Sequence, residues 1–233
     1  MTKFAVLLGV AVFLVSGFGR WRYRSAKTEA ANQPMRSGLT AAEAVEKLLD
    51  GSGGTRGRVK VVEHDAYLTD FYEPSKHRLY LSRETFRGKD AAAWGIALHE
   101  AGHAIQQAKG DPNLKVRRGM AKLSQFGGGL ALLLGLFLAV LPMCPPVIGL
   151  LVGLTLWFLI LVGNLVTIRT EYTANRWVLE WLDKARLLKG VDEEDEIEQV
   201  MAAACWREVG DVGRSPLLFV HHLVPLLGRK PKD

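Results

Sequence analysis

Five consecutive residues carry the side chains best suited to metal chemistry: His99-Glu100-Ala101-Gly102-His103. Residues four positions apart lie on one face of a helix, so both imidazoles can reach a single metal ion. Glu100 is next to the first imidazole and can take a proton from a water on that metal. Zinc lowers the pKa of such a water to about 7, which makes a nucleophile available at neutral pH. The spacing therefore predicts one Zn2+ per chain with His99 and His103 as ligands. Glu100 is then the general base for attack on a peptide carbonyl.

The same pattern can also be two structural histidines in a helix core. The match lies within a helix predicted from Asp90 to Lys109, which Asp90 caps and Gly110-Asp111-Pro112 ends. Within this helix Gly95 and Gly102 would let other elements approach closely. These features favour a metal site over a structural pair.

A catalytic zinc site needs a third protein ligand and one open position. Glu171 is the leading candidate, because two predicted membrane crossings after His103 return the chain to the same side just before it. The alternative is that Glu171 is an interfacial carboxylate paired with a neighbouring arginine. Four lone histidines and three tyrosines are weaker candidates, as further ligands or as donors to an oxyanion: His64, His77, His221, His222, Tyr67, Tyr72 and Tyr172. Cys144 and Cys205 are too few for a Cys-type zinc site or a disulfide framework.

The elements that position these residues include long apolar segments. Residues 127–168 contain no charged side chain, which predicts two membrane helices, at about 123–141 and 147–168, with a turn at Pro142 and Pro145-Pro146. Residues 4–18 form a shorter apolar stretch. A signal peptide is the competing interpretation of it, but Arg and Trp residues follow where a small-residue cleavage site would stand, so an uncleaved anchor is favoured.

The net charge of +6 permits nucleic-acid binding, but the basic residues flank the apolar segments, and no aromatic or Gly-rich binding motif accompanies them. Basic flanks are typical of the cytoplasmic side of membrane helices. We therefore expect the lipid bilayer and a peptide or protein substrate as partners, no nucleic acid, and an active site that faces the cytoplasm. The basic residues are Arg20, Arg22 and Arg24 after the first segment, Lys115, Arg117, Arg118 and Lys122 before the second, and Arg169 and Arg176 after the third.

A small α+β unit precedes the motif. Thr40 is a predicted N-cap with Glu43 as its capping-box partner, and residues 58–63 and 77–82 are predicted strands with a turn at 74–76 between them. Residues 26–36 are predicted to be a linker, and an amphipathic helix is expected after Arg169-Thr170-Glu171. The apolar segment 216–227 lies either on the membrane surface or against the domain.

The predicted fold class is a mainly α membrane protein. It has a zincin-like α+β catalytic unit, an N-terminal anchor helix and a transmembrane helical hairpin. The predicted division is an anchor at 1–25, a cytoplasmic catalytic unit at 37–122, the hairpin at 123–168, and a post-span helix with the third ligand and the C-terminal region at 169–233.

Several motifs together resemble the YugP-type family of bacterial membrane zinc metallopeptidases. They are Ser37-Gly38-Leu39-Thr40-Ala41, Leu68-Thr69-Asp70-Phe71-Tyr72-Glu73-Pro74, Leu81-Ser82, His99-Glu100-Ala101-Gly102-His103-Ala104-Ile105-Gln106 and Glu171-Tyr172-Thr173-Ala174-Asn175-Arg176. The resemblance implies a gluzincin-like site with His99, His103 and Glu171 as zinc ligands and Glu100 as base, in a protein of the bacterial inner membrane.

The chain departs from the family pattern at four positions. Thr173 stands where the pattern has Asp, Asn175 where it has Ser, Phe71 where it has His, and Glu73 where it has Asp. If the Asp of the family pattern orients or binds the metal, that contribution is absent here. The alternative to a peptidase is therefore a catalytically weak or inactive membrane scaffold that retains a structural zinc site.

Overall fold

The computed structural model describes residues 2–64, 70–142, 145–185 and 187–220. Its elements are α1 (Thr2–Ala30), α2 (Ala41–Gly51), β1 (Lys60–His64), β2 (Phe71–Glu73), β3 (Arg78–Ser82), α3 (Arg83–Arg87), α4 (Ala91–Ala108), α5 (Asn113–Lys122), a π-helical turn (Leu123–Gly127), α6 (Gly128–Val140), α7 (Pro146–Ala185), α8 (Val191–Ala204) and α9 (Arg207–Val212). The protein is mainly helical, as predicted. Tyr67, Cys144, His221, His222 and residues 221–227 of the C-terminal apolar segment lie outside the described residues.

Three of the described helices are long and apolar enough to cross a membrane: Lys3–Ala30, Asn113–Val140 and Pro146–Ala185. Two predicted boundaries are wrong. The linker expected at 26–36 is helical as far as Ala30, because no Gly or Pro interrupts the chain between Arg20 and Gln33. The helix expected after residue 168 is not separate. It is the last part of the 40-residue helix α7, which continues because no Gly or Pro occurs between residues 169 and 185.

The small sheet differs from the prediction in one respect. Its strand order is β1-β3-β2, with β1 parallel to β3 and β2 antiparallel to β3. The turn at 74–76 therefore joins β2 to β3, and does not join the two strands that the sequence predicts. A strand of three residues is too short to show an alternating pattern, so β2 was missed. Parallel strands such as β1 and β3 also need a longer connection than a tight turn.

Two predicted helix caps are present. The Thr40 side chain accepts a hydrogen bond from the Glu43 backbone N–H, and the Glu43 carboxylate accepts one from the Thr40 N–H, which completes the capping box of α2. The Thr40 backbone N–H and the Thr40 hydroxyl both donate to the Glu43 carboxylate, and these two hydrogen bonds lower the pKa of that carboxyl. The Asp90 carboxylate accepts a hydrogen bond from the Ala93 N–H and so begins α4 at the predicted place.

The chain forms two compact units. One comprises Arg22–Leu114 and Arg169–Cys205, and its core surrounds α4, which is buried from Ala91 to Gln106. Side chains of α2, the sheet, α7 and α8 complete that core. A Cβ on Gly95 would lie 2.6 Å from Val200 Cβ, and a Cβ on Gly102 would lie 3.1 Å from the Ala174 carbonyl oxygen. The prediction that these glycines permit close approach is confirmed.

The other unit comprises Met1–Trp21, Lys115–Ile168 and Trp206–Asp233. Its α6 and α7 pack with their backbones in near contact, since a Cβ on Gly149 would lie 2.3 Å from the Ala139 nitrogen. Small residues permit such close packing between apolar helices. A polar cluster joins α5 and the π-helical turn to α9, where the Glu208 carboxylate lies 3.5 Å from Arg117 and accepts a hydrogen bond from Ser124.

Candidate metal centre

The two motif histidines and Glu171 lie together in the unit that contains α4. His99 and His103 are four residues apart on α4, and Glu171 is on the part of α7 that packs against it. Glu171 Oε2 is 3.4 Å from His99 Nε2 and 3.2 Å from His103 Nε2. The side chains of the two histidines are 1% exposed and that of Glu171 is 3% exposed. Among the described residues, these three form the one group that can hold a metal ion, with ligand atoms within 4.8 Å of one another.

Small residues at the helix interface allow this approach. Gly102 lies between the two histidines, and a Cβ there would be 3.2 Å from both Ala174 Cβ and Val178 Cγ2. Ala174 is fully buried. Because neither residue carries a long side chain, α4 and α7 approach closely enough for a glutamate on one helix to meet imidazoles on the other.

A side-chain amide determines the tautomer of His99. His99 Nδ1 lies 2.8 Å from Asn175 Oδ1. The Asn175 Nδ2 group donates to the Met201 carbonyl oxygen at 2.8 Å and contacts Cys205 Sγ at 3.2 Å. A carbonyl oxygen only accepts, so the amide nitrogen faces Met201 and the amide oxygen faces His99. A hydrogen bond to this oxygen requires a proton on His99 Nδ1, and Nε2 is the ring nitrogen that faces Glu171.

His103 has the same arrangement with a different partner. His103 Nδ1 lies 2.7 Å from Gln106 Oε1. The Gln106 Nε2 group donates to the Thr170 carbonyl oxygen at 2.9 Å and to Asp111 Oδ2 at 3.3 Å. Both of these partners are acceptors, so the amide oxygen faces the imidazole. His103 therefore also carries its proton on Nδ1.

This donor set fits a divalent cation. Two imidazole nitrogens and a carboxylate oxygen are electron-rich ligand atoms, and the carboxylate oxygen lies 3.2–3.4 Å from the two nitrogens among buried side chains. Two histidine nitrogens and one carboxylate oxygen are a ligand set that catalytic zinc commonly uses. Histidines that donate their other ring N–H to an oxygen are typical of zinc sites. Glu100 follows the first of these histidines and is fully buried.

The four weaker candidates that the structure describes, His64, His77, Tyr72 and Tyr172, lie outside this group. His64 packs against the rings of Phe71 and Tyr80, and His77 is in a turn with a positive φ of 49°. The Tyr72 hydroxyl donates to Gln107 Oε1 at 2.7 Å, and Tyr172 is 41% exposed. A described cavity of about 360 Å3 is lined by Trp177, Trp181 and the 52–55 loop among others, and none of the three metal-binding candidates lines it.

The sequence did not reveal the roles of Asn175 and Gln106. Gln106 is three residues after His103, and Asn175 is four residues after Glu171, so each shares a helix face with a candidate ligand. This spacing is the one signal that could have identified them. An amide at such a position is also compatible with ordinary packing, so the hydrogen-bond geometry was needed.

Two comparisons with known proteins find matches over most of the chain. The model of a family described as "Putative neutral zinc metallopeptidase" matches residues 5–221. The "Putative membrane protease YugP" of Bacillus subtilis (strain 168) is 27% identical over 202 residues, which cover 85% of this chain and 86% of the relative. No solved structure is a significant match.

Proposed function

The chain belongs to the family of putative neutral zinc metallopeptidases, as the resemblance predicted, and from this premise we propose that it is a membrane-bound zinc endopeptidase. The observation that supports the proposal is the convergence of His99 Nε2, His103 Nε2 and Glu171 Oε2, with both imidazoles protonated on Nδ1. Family membership by itself indicates a zinc-dependent hydrolase. The geometry supports these three residues as its ligands.

Each residue has a distinct role in the proposed reaction. His99, His103 and Glu171 would hold one Zn2+, which when bound would supply a Lewis acid that lowers the pKa of water toward about 7 and polarises the peptide carbonyl. Glu100 takes the proton from the attacking water and transfers it to the leaving amine. Burial strengthens these electrostatic interactions, since Glu100 is fully buried and Glu171 is 2% exposed.

The proposed location is the bacterial inner membrane, with the active site facing the cytoplasm and peptides or proteins as substrates. Three apolar helices of sufficient length support a membrane location, and the relative is named a membrane protease. The basic flanks of these helices support the orientation.

The decisive variant is Glu100→Gln, which removes the base but is not expected to remove the metal. We expect purified wild type to hold close to one zinc per chain and to cleave fluorescein-labelled casein. Glu100→Gln should keep the zinc and lose at least about 100-fold in cleavage rate, a typical contribution of a general base. Glu171→Ala and His103→Ala should lose the zinc. Metal analysis and a fluorescence cleavage assay measure both properties on the same samples.

Glu180→Gln is the matched control, because Glu180 is a half-exposed carboxylate on α7 that pairs with Arg176 at 3.6 Å. It should keep both zinc and activity. Zinc without cleavage in wild type would favour the scaffold with a structural metal. A wild type without zinc after reloading would refute the peptidase.

A further inference from the structure

Asn175 connects the candidate ligand His99 to a third helix. Asn175 is on α7, its oxygen lies 2.8 Å from His99 Nδ1 on α4, and its nitrogen donates to the last turn of α8. The side chain is 4% exposed, so water does not compete for these contacts.

We propose that Asn175 is a positioning residue that selects the His99 tautomer able to bind zinc, and that the C-terminal end of α8 fixes its orientation. The inference rests on the proposed zinc site, but the tautomer can be measured without zinc. Asn175 itself is not a ligand, because its oxygen is used by Nδ1, which is the ring nitrogen opposite to the one facing Glu171.

The end of α8 supplies partners that discriminate between the two ends of the amide. The Met201 carbonyl oxygen accepts from Asn175 Nδ2 at 2.8 Å, and that oxygen also accepts from the Cys205 thiol at 3.4 Å. If the amide rotated by 180°, its oxygen would face the Met201 oxygen and its N–H groups would face His99. The rotated form would place two buried acceptors together and leave a buried hydrogen bond unmade, which is unfavourable.

The tautomer matters because only one imidazole nitrogen can reach the metal. With the proton on Nδ1, Nε2 presents a lone pair to the site. If Asn175 lost its acceptor, the proton could move to Nε2, and a proton would then have to leave before zinc could bind. Removing a partner of this kind typically lowers metal affinity by 10–100-fold.

The chain contains an internal comparison. His103 receives the equivalent contact from Gln106, which lies on the same helix three residues away. The contact to His99 comes from a residue 76 positions away and depends on α7 and α8. Removal of Asn175 should therefore change His99 and leave His103 unchanged, and Gln106→Ala should do the reverse.

The test combines the tautomeric state with zinc affinity. Long-range 1H–15N spectra of histidine-labelled, zinc-free protein report which ring nitrogen carries the proton, with His99 assigned from a His99→Gln sample. We expect His99 to be protonated on Nδ1 in wild type and to lose that preference in Asn175→Ala. Chelator competition should show zinc binding 10–100-fold weaker in Asn175→Ala.

Two further variants distinguish loss of the Asn175 acceptor from general loss of structure. Asn175→Asp keeps an acceptor for Nδ1, so it should retain the His99 tautomer even if its contact with Met201 is lost. Thr173→Ala is the matched control on the same helix, because the Thr173 hydroxyl donates to the Arg169 carbonyl of α7 at 3.0 Å. It should change neither the tautomer nor the zinc affinity.

The outcomes separate this inference from the proposed function. An unchanged His99 tautomer in Asn175→Ala, or its loss in Asn175→Asp, overturns the positioning role. Unchanged zinc affinity in Asn175→Ala overturns it as well. If the tautomer responds as expected but wild type binds no zinc, the positioning of His99 stands and the proposed zinc peptidase fails.

Discussion

The residues that depart from the family pattern differ in their relation to the candidate site. Thr173 is half-buried and uses its hydroxyl within α7, so an Asp missing at this position leaves no gap among the three candidate ligands. Asn175 is buried and lies directly behind His99. Of these differences from the family pattern, we therefore expect the one at Asn175 to affect function. Its amide can accept a hydrogen bond from an imidazole and donate another to α8.

The partly buried carboxyl group of Asp211, which lies outside the site, makes stability depend on pH. Burial raises the pKa of Asp211 from 3.8 to about 6, and the nearby Glu208 carboxylate adds to the rise, while Arg207, Arg214 and Arg20 oppose it. Between about pH 4 and pH 6 the unfolded chain has lost this proton and the folded protein still holds it. Stability therefore falls as pH rises through that window, by at most roughly 3 kcal/mol, and the full penalty remains at pH 7.

We expect Asp211→Asn to raise the melting temperature at pH 7 and to leave it nearly unchanged at pH 4. Thermal melts of detergent-purified protein at both values measure this. Asp195→Asn is the control, because Asp195 is exposed on α8 and should change the free energy of unfolding by less than about 0.5 kcal/mol. A variant that is equally stabilised at both values would show that charge on Asp211 is not the cause.

The central element is α4, because it carries both histidines. It contacts α7 and α8 through glycines, which have no side chain. Gly102 faces α7, and Gly95 faces Val200 and Ile197 of α8. The capping residue Asp90 and the alanine-rich first turn provide helix propensity that two internal glycines reduce. The glycines are therefore explained by packing, since their intrinsic effect on a helix is unfavourable.

Gly95→Ala tests this interpretation. The added methyl group would lie 2.6 Å from both Cβ and Cγ1 of Val200, and a β-branched side chain has little freedom to move away. Overpacking costs about 1–3 kcal/mol, which exceeds the helix-propensity gain of about 1 kcal/mol. We expect a lower melting temperature and weaker zinc binding, since the Met201 carbonyl oxygen of α8 accepts a hydrogen bond from Asn175. Gly119→Ala in α5, where no atom lies within 4 Å of the added Cβ, should be neutral or stabilising. Equal effects of the two substitutions would contradict the packing role.

At the scale of the whole molecule, apolar surface is concentrated on the long helices. Phe4, Leu14, Phe137, Val140 and Val166 are all more than half exposed. Apolar surface of this extent is typical of lipid contact. The proposed membrane location explains this surface, and the distribution of basic residues supports the proposed orientation of the segments.

The proposed orientation is tested with single cysteines in a Cys144→Ser background, where Cys205 remains but is 1% exposed. Pro142→Cys, in the exposed connection between α6 and α7, should react with a membrane-impermeant maleimide in intact cells. Asp195→Cys should react only after the membrane is opened, since α8 belongs to the cytoplasmic side in the proposed topology. The opposite labelling pattern would place the candidate active site outside the cytoplasm.

Features that depend on local spacing and composition could be predicted from the sequence alone. The i, i+4 histidines, the caps at Thr40 and Asp90, and the three apolar helices follow from periodicity and from residue type, which act within a few residues. Glu171 was predicted from chain direction and membrane crossings, and the structure brings it to 3.2 Å from His103 Nε2.

Contacts between groups that are distant in the sequence depend on the tertiary fold. The strand β2 forms because it pairs with β3. The helix α7 is continuous because no Gly or Pro follows residue 168 within it, although the change from apolar to charged residues there suggested two separate helices. The contact between Asn175 and His99 depends on the packing of α4, α7 and α8, and amide orientation depends on which acceptor lies beside each end. His99 and Asn175 are 76 positions apart in the sequence, so their contact depends on how the helices pack and no local pattern encodes it.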